Sequence, residues 1–249
     1  MRTVSDPSVE SSRRRRPACR PAVLIGALVA AGCSGGAGDT APSAGGFALE
    51  LVPVEEAGEW QGFVADYPDG QLGDVGLVTE PRTIAVAGLG EASGVYHFVN
   101  NISDDLFSAL WRRVDGLEDR PYTFDVEVEL ATPYGAECQL GAAGNVFLKP
   151  GLSTAPPDVF IDEGGWVRAT VDHGQQSVEG PTFPILGDLT NDLPGCDPAG
   201  SWGPIVGRTA EPIVITPVNG AIYVFLSTES AWEGPHELLW LSARLTERE

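Results

Sequence analysis

The chain has 249 residues, of which 15 are basic and 35 acidic, and its formal net charge at neutral pH is −20. Such acidity repels nucleic acid and anionic lipid headgroups and excludes a nucleic-acid-binding role. The sequence contains neither a His-Glu-x-x-His zinc motif nor the Gly-x-Ser-x-Gly motif of the α/β-hydrolases, and we predict no catalytic residue.

Residues 1–32 have the layout of a secretory signal peptide. A basic block at 13–16 precedes an apolar or small run at 21–32 that is too short for a permanent membrane span. The run ends in Ala-Ala-Gly-Cys, which resembles the lipobox of bacterial lipoproteins and implies acylation of Cys33 as the mature N-terminus. Ser34 follows the cysteine, and the same resemblance then implies sorting to the outer membrane. The alternative is an ordinary signal peptide cleaved elsewhere.

The remaining sequence divides into a tether and one domain. Residues 33–46 are almost entirely small or polar and predict a flexible tether. Residues 47–249 are enough for a single domain with one hydrophobic core. Without the signal peptide, nine basic and 33 acidic residues remain, which gives a net charge of −24. This acidity either serves solubility alone or favours neutral partners, cationic partners and divalent cations.

Cys138 and Cys196 are the two cysteines of the predicted domain. Because exported compartments are oxidising, we predict one disulfide between them. In the chain-entropy model a loop of this length contributes about 4 kcal/mol to stability.

The pattern of apolar residues predicts many short strands. Glycine (31) and proline (20) are spread along the chain, as is typical of strands joined by turns. Residues 122–130 alternate strictly between apolar and mostly acidic side chains, so one face is predicted to be buried and the other wet. Asn219-Gly220 lies between two β-rich runs in 212–228 and predicts a hairpin. Further strands are predicted at 47–52, 94–100, 145–149, 158–162, 166–172 and 236–245, with a tight turn at 163–165.

Residues 103–117 admit two interpretations. Ser103 is a candidate helix N-cap, and the apolar residues after it recur at helical spacing. The same residues also fit a strand that leads through Gly116-Leu117 into 122–130, and we favour the strand or a short mixture. That arrangement resembles jelly-roll modules of the galactose-binding type. The predicted fold is therefore all-β, a jelly-roll-like antiparallel β-sandwich with at most one short helix.

A wider resemblance rests on four segments, NNISDDLF (100–107), YTFDVEVELAT (122–132), VFLKPGLST (146–154) and VDHGQQS (171–177). They resemble a group of uncharacterised secreted or lipid-anchored bacterial proteins over residues 58–245. The resemblance implies a location and a β-rich domain, and no particular reaction.

The candidate ligand-binding residues are polar side chains and two tryptophans. Sets of small donors and acceptors bind sugar hydroxyls, especially beside an aromatic ring, and the loop 172–177 offers such a set. Exposed tryptophans in Gly/Pro/Ser-rich segments would supply the ring, although tryptophans more commonly lie in a core. The predicted set is Asp172, His173, Gln175, Gln176, Ser177, Trp202 and Trp232.

Oxygen-bearing side chains at 100–105 suggest calcium as the one cofactor to consider. Calcium is bound by carboxylate and amide oxygens gathered from loops, and the candidate ligands are Asn100, Asn101, Asp104 and Asp105. The alternative is that these residues only form turns.

The sequence favours an exported, lipid-anchored envelope protein that binds a carbohydrate or another envelope ligand without catalysis. A hydrolase that uses surface carboxylates, and a protein that binds another protein, are the alternatives. An open groove with an aromatic face indicates ligand binding, two facing acids in a deep cleft indicate a hydrolase, and a flat apolar patch indicates a protein partner.

Overall fold

The computed structural model describes residues 46–137, 143–194 and 201–248. This part of the chain contains one helical turn, α1 (Leu72–Val75), and a 3₁₀ turn at Ala143–Asn145. Its strands are β1 (Ala48–Leu51), β2 (Gln61–Ala65), β3 (Tyr67–Pro68), β4 (Val78–Val86), β5 (Gly90–Asn101), β6 (Phe107–Asp115), β7 (Tyr122–Thr132), β8 (Val146–Leu148), β9 (Gly151–Ser153), β10 (Val159–Ile161), β11 (Trp166–Ala169), β12 (Gly174–Gln175), β13 (Val178–Glu179), β14 (Gly203–Arg208), β15 (Ile213–Ile215), β16 (Ala221–Ser230) and β17 (Gly234–Glu247).

Two antiparallel sheets make up most of the fold. The first sheet has the order β14-β7-β17-β5-β4, with β1 also paired to β17 and β15 to β7. The second sheet has the order β2-β6-β16-β8, with β9 also paired to β16. A third, small sheet has the order β10-β11-β3, and β12 pairs with β13. This architecture confirms the predicted jelly-roll-like β-sandwich.

The main core lies between the first and second sheets. Phe124, Val128 and Leu130 of β7 are fully buried there, as the alternation of that strand predicted. Ile222 and Leu226 of β16 pack into the same core from the second sheet. Each such side chain contributes about 1.5–3 kcal/mol when it leaves water, so burial of the two facing sets holds the sheets together.

The segment with two interpretations forms a strand, β6, and not a helix. Leu110 and Val114 face the main core, whereas Phe107 and Ala109 pack on the opposite face of the second sheet against Phe225. Because both faces of β6 are covered, its sequence lacks the alternation of a half-exposed strand. Continuous apolar character can then match helical spacing by chance.

The turn at Asn219-Gly220 is confirmed, but the hairpin around it differs from the prediction. Both residues have positive φ angles, 54° and 69°, as a tight hairpin turn requires. Val218 and Ala221 form a bridge across the turn. Beyond it, however, β15 pairs with β7 in the first sheet and β16 with β6 in the second. The turn therefore carries the chain from one sheet to the other.

All three cysteines with predicted roles, Cys33, Cys138 and Cys196, lie outside the described residues. The segments that lead toward the last two run side by side: Asn191 N donates to Tyr134 O (2.7 Å) and Ala136 N donates to Leu193 O (2.9 Å). The disulfide stays a prediction. Among the described residues, no helix combines the length and apolar character needed to cross a bilayer.

Candidate functional site

Six charged side chains meet on the face of the second sheet that is turned away from the main core. They come from β16, from β11 and from the loops next to β2, β6, β8 and β12, and we call them the charged cluster: Asp66, Asp105, Lys149, Arg168, His173 and Glu229. Their side chains would comprise three acids and three bases if His173 is protonated.

Lys149 and Glu229 form a fully buried ion pair with an Nζ–Oε2 distance of 2.6 Å. Lys149 Nζ also donates to the carbonyl oxygens of Gln176 (3.2 Å) and Val178 (2.9 Å). Three acceptors match the three N–H groups of an ammonium. The backbone N–H of Gln176 donates to Glu229 as well. The pair therefore fastens the loop 172–178 to the second sheet.

His173 lies between two carboxylates. Its ring stacks on Phe107 with centroids 4.0 Å apart and planes 10° apart. Nδ1 is 3.2 Å from Glu229 Oε2, and Nε2 is 2.9 Å from Asp66 Oδ2. Burial alone lowers the pKa of His173, but the carboxylates of Asp66 and Glu229 outweigh burial and raise the pKa to about 9. At neutral pH the side chain is therefore an imidazolium whose single positive charge faces both acids.

Arg168 joins the two aspartates of the cluster. Its Nη1 is 2.9 Å from Asp66 Oδ1 and 3.2 Å from Asp105 Oδ2, and its Nε is 3.0 Å from Asp162 Oδ2. Gln175 Nε2 also donates to Asp105 Oδ2 (3.2 Å). Burial raises the pKa of Asp105, and Arg168 opposes that shift. Arg168 thereby fixes both carboxylates in place.

Backbone strain is concentrated at this site. Asp66, Asp104 and Gln176 have positive φ angles of 62°, 62° and 48°, and Asn219 is the fourth such non-glycine residue in the described part of the chain. Such conformations cost of order 1–3 kcal/mol each and often mark functional sites. A hydrogen bond from Gln176 Nε2 to Asp104 O (2.9 Å) joins two of the strained residues.

The charged cluster borders a surface cleft of about 390 Å³. The cleft is lined by residues 169–171 and Gly174 together with Asp66, Asp105, Phe160, Arg168, Asp172, His173 and Gln175. Phe160 is 51% exposed and lies opposite Arg168 in the β10–β11 pair. The cleft therefore combines an exposed aromatic ring with donors and acceptors that are held in fixed positions.

The predicted loop contributes to the cleft only in part. Asp172, His173 and Gln175 line it. Gln176 is not among the lining residues, and its backbone binds Lys149 and Glu229. Ser177 is exposed and is not among the lining residues.

The two predicted tryptophans lie elsewhere. Trp202 packs against Tyr96 on the first sheet, with ring centroids 6.4 Å apart. Trp232 is 42% exposed in the turn between β16 and β17. Neither lines the cleft, and Phe160 provides its aromatic surface instead.

The predicted calcium ligands make separate contacts. Asn101 Nδ2 donates to Ser230 O (3.2 Å) and Trp232 O (2.8 Å), Asn100 Nδ2 donates to Asp74 O (3.1 Å), and Asp105 binds Arg168. Asp104 is exposed. Within the described ranges, no three His, Cys, Asp or Glu side chains group closely enough to hold a metal ion. Calcium binding stays a prediction.

The other two histidines belong to a different polar group, which we call the neutral chain. It lies between the first and second sheets and runs from His97 Nε2 to Ser108 Oγ (3.1 Å), Thr228 Oγ1 (3.0 Å) and His236 Nε2 (3.5 Å). Burial, with a smaller contribution from His236, lowers the pKa of His97 to about 3, and burial lowers the pKa of His236 to about 4. All four side chains are buried, so the His97–Ser108 contact does not face a substrate.

Sequence reasoning missed Phe160, Arg168 and Glu229. Of the three, Glu229 carried a sequence signal, because residues 227–230 form a polar run at the end of a strand that is otherwise apolar. The exposure of Val159, Phe160 and Ile161 is visible in the structure and not in the sequence.

No family model and no curated protein matches the chain. Among solved structures, a carbohydrate-binding module described for specific mannan recognition aligns at 13% identity, covering 81% of this chain and 96% of that one, with a TM-score of 0.41. A module from Caldicellulosiruptor saccharolyticus in complex with mannohexaose aligns at 12% identity, covering 79% and 96%, with a TM-score of 0.35. A module in complex with β-1,4-galactotriose aligns at 13% identity, covering 78% and 93%, with a TM-score of 0.32.

Proposed function

We propose that this protein is a non-catalytic glycan-binding module and that the cleft beside Phe160 is its binding site. The observation that carries the proposal is the exposed Phe160 ring, which lies next to an array of charged and amide side chains. A sugar presents an apolar face and a rim of hydroxyl groups, and a concave site with one aromatic surface and a few fixed polar groups complements both.

Three polar side chains of the cleft, Arg168, His173 and Gln175, are held in position by contacts within the protein. Arg168 is bound by three aspartates, and Gln175 is bound to Asp105. His173 is stacked on Phe107 between two carboxylates. A site whose side chains are already ordered loses less conformational entropy on binding, which favours recognition of a weakly binding ligand such as a sugar.

A glycan array with the full-length protein in detergent, with and without calcium, tests the proposal. We expect Phe160→Ala to lower the affinity for a retained glycan by at least about tenfold. Trp232→Ala is the matched control, because it removes an exposed aromatic ring outside the cleft. An array without any retained glycan, or a loss confined to Trp232→Ala, would refute the proposal.

A hydrolase is the second candidate, because Asp66 and Asp105 both line the cleft and burial, with a smaller contribution from Asp66, raises the pKa of Asp105. A general acid requires such a raised pKa. Chromatography of retained glycans after incubation with the protein separates the two functions. Shortened products that disappear with Asp105→Asn would establish hydrolysis, and intact glycans would support binding alone.

We further propose that the protein is exported and held by lipid on Cys33 at the outer membrane. The basic block, the short apolar run and the Ala-Ala-Gly-Cys sequence support this location. Acyl chains contribute about 0.8 kcal/mol per buried CH₂ group, so two or three chains anchor a protein firmly. Mass spectrometry of the membrane fraction tests it: a free amine on any residue after Cys33 would refute acylation.

A further inference from the structure

A second cleft adjoins the first. It has a volume of about 310 Å³, and Ser153, Thr154 and Thr182 are among its lining residues. Residues 170–172 line both clefts. We call these two adjoining clefts, which share residues 170–172, the groove; a ligand longer than one sugar unit that occupied both would pass Asp172.

The cations of this groove are already engaged by acids. Arg168 binds three aspartates, and His173 lies between Asp66 and Glu229. Both positive charges are therefore balanced before any ligand arrives. An anionic ligand would have to compete with these carboxylates.

The unbalanced charge of the groove is negative. Asp172 is exposed, and its contact with protein is a hydrogen bond from the backbone N–H of Gly174 (3.3 Å). Asp105 lines the same cleft and is only 8% exposed, and its Oδ1 has no hydrogen-bond partner among the described residues. That oxygen is itself buried, so Asp172 is the carboxylate of this pair that a ligand can reach.

We propose that the groove binds a cationic glycan, an oligosaccharide whose amino sugars carry free protonated amines, and that Asp172 contacts one of these amines. The proposal rests on the proposed glycan-binding function and specifies its ligand class. Ammonium–carboxylate hydrogen bonds are stronger than neutral ones. The net charge of −24 outside the signal peptide also attracts polycations from a distance.

Calorimetry with the full-length protein in detergent and four probes tests the proposal. The probes are a glucosamine hexamer, its N-acetylated form, a neutral mannose hexamer and hexalysine. We expect the glucosamine hexamer to bind at least about tenfold more tightly than the N-acetylated form. The preference should shrink as salt rises from about 0.05 to 0.3 M, because ions screen exposed charges.

Two variants with the same change of charge locate the contact. Asp172→Asn should remove most of the preference for the free amine. Asp115→Asn is the control, because Asp115 is exposed at the far end of β6 from Phe107 and pairs with Arg113. We expect this control to leave the preference within about twofold.

The outcomes separate this inference from the proposed function. Equal affinity for the free and acetylated hexamers overturns the inference and leaves glycan binding intact. Hexalysine binding as tightly as the glucosamine hexamer, with equal loss in both variants, also overturns it, because the attraction is then unspecific. Failure of every probe, together with an empty glycan array, refutes both proposals.

Discussion

The two groups of buried histidines respond to burial in opposite ways. His97 and His236 lie in the neutral chain between the sheets, where burial lowers their pKa values to about 3 and about 4. His173 is also buried, yet the two carboxylates beside it raise its pKa to about 9. Burial alone favours an uncharged histidine, whereas burial beside two acids keeps the charge, so neighbouring groups decide the outcome.

The neutral chain and the charged cluster also differ in the charge that they bury and in where they lie. The neutral chain joins two sheets through hydroxyl and imidazole groups that bury no charge. The charged cluster buries several charges and three strained backbone positions surround it, and both features cost free energy. The arrangement that buries charge borders the cleft, whereas the uncharged one lies in the core.

Acid should produce the largest loss of stability, because of the two histidines in the neutral chain. Folded His97 and His236 stay neutral until about pH 3 and 4, whereas unfolded histidines take up protons near pH 6.5. Their stabilisation is present above pH 6.5 and is lost as the pH falls toward 4. By linkage the loss is of order 6 kcal/mol at pH 4, comparable to the stability of many domains.

Urea denaturation between pH 7 and 4 measures this effect. The double variant His97→Gln/His236→Gln is the control, because a neutral amide cannot take up a proton in this range. Its stability should depend less on pH. Equal acid sensitivity of both proteins would show that the carboxylates, and not these histidines, are responsible.

Loss of Lys149 should be the next largest effect. Lys149→Met leaves three acids against two bases in the charged cluster, and an uncompensated buried charge costs about 3–5 kcal/mol. We expect the free energy of unfolding in urea to fall by this amount. Lys149→Met/Glu229→Gln should recover part of it, and Arg113→Met, at an exposed pair, should cost less than about 1 kcal/mol. A cost below about 1 kcal/mol for Lys149→Met would contradict the account.

Alkali should lower the stability of the protein by a smaller amount, because His173 of the charged cluster loses its proton. Because the pKa of His173 is raised, its stabilisation is complete below pH 6.5 and is lost as the pH rises through about 9. The loss is about 3 kcal/mol. Melting curves between pH 6.5 and 9.5 should show it, and His173→Gln should not. His97→Gln, the matched control, should keep this alkaline loss; if it disappears there as well, His173 is not its source.

The smallest effect concerns Ser108, which donates or accepts two hydrogen bonds of the neutral chain. Ser108→Ala should lower the free energy of unfolding by about 1–3 kcal/mol, toward the lower end, because the freed groups are uncharged. It should leave glycan binding unchanged. A selective loss of binding would indicate that the neutral chain, too, supports the cleft.

Most of the fold was predictable because a strand with one buried face alternates between apolar and polar residues in its sequence. The alternation of 122–130 identified β7, and Asn219-Gly220 identified a turn. The sheet to which β15 belongs was not predictable, because it depends on distant partners. Likewise, both faces of β6 are covered, so its sequence lacks the alternation of apolar and polar residues that would have predicted a strand.

The site was only partly predictable, because it is assembled from distant segments. The polar loop at 172–177 was recognisable by composition, and three of its residues line the cleft. Phe160 and Arg168 were not, because they meet across a β10–β11 register that spacing does not show. Trp232 was predicted as a ligand contact because its segment suggested an exposed ring. The ring is exposed, but the turn that carries it does not line the cleft.

Nuclear magnetic resonance of ¹⁵N-labelled histidines tests most directly whether a protonated, buried imidazolium supports the cleft. At about pH 7.5, between the ordinary and the raised pKa, His173 should carry protons on both ring nitrogens and titrate at about 9. His97 and His236 should stay neutral as the pH is lowered to about 5. A His173 that is neutral at pH 7.5, with a pKa at or below 6.5, would contradict the account.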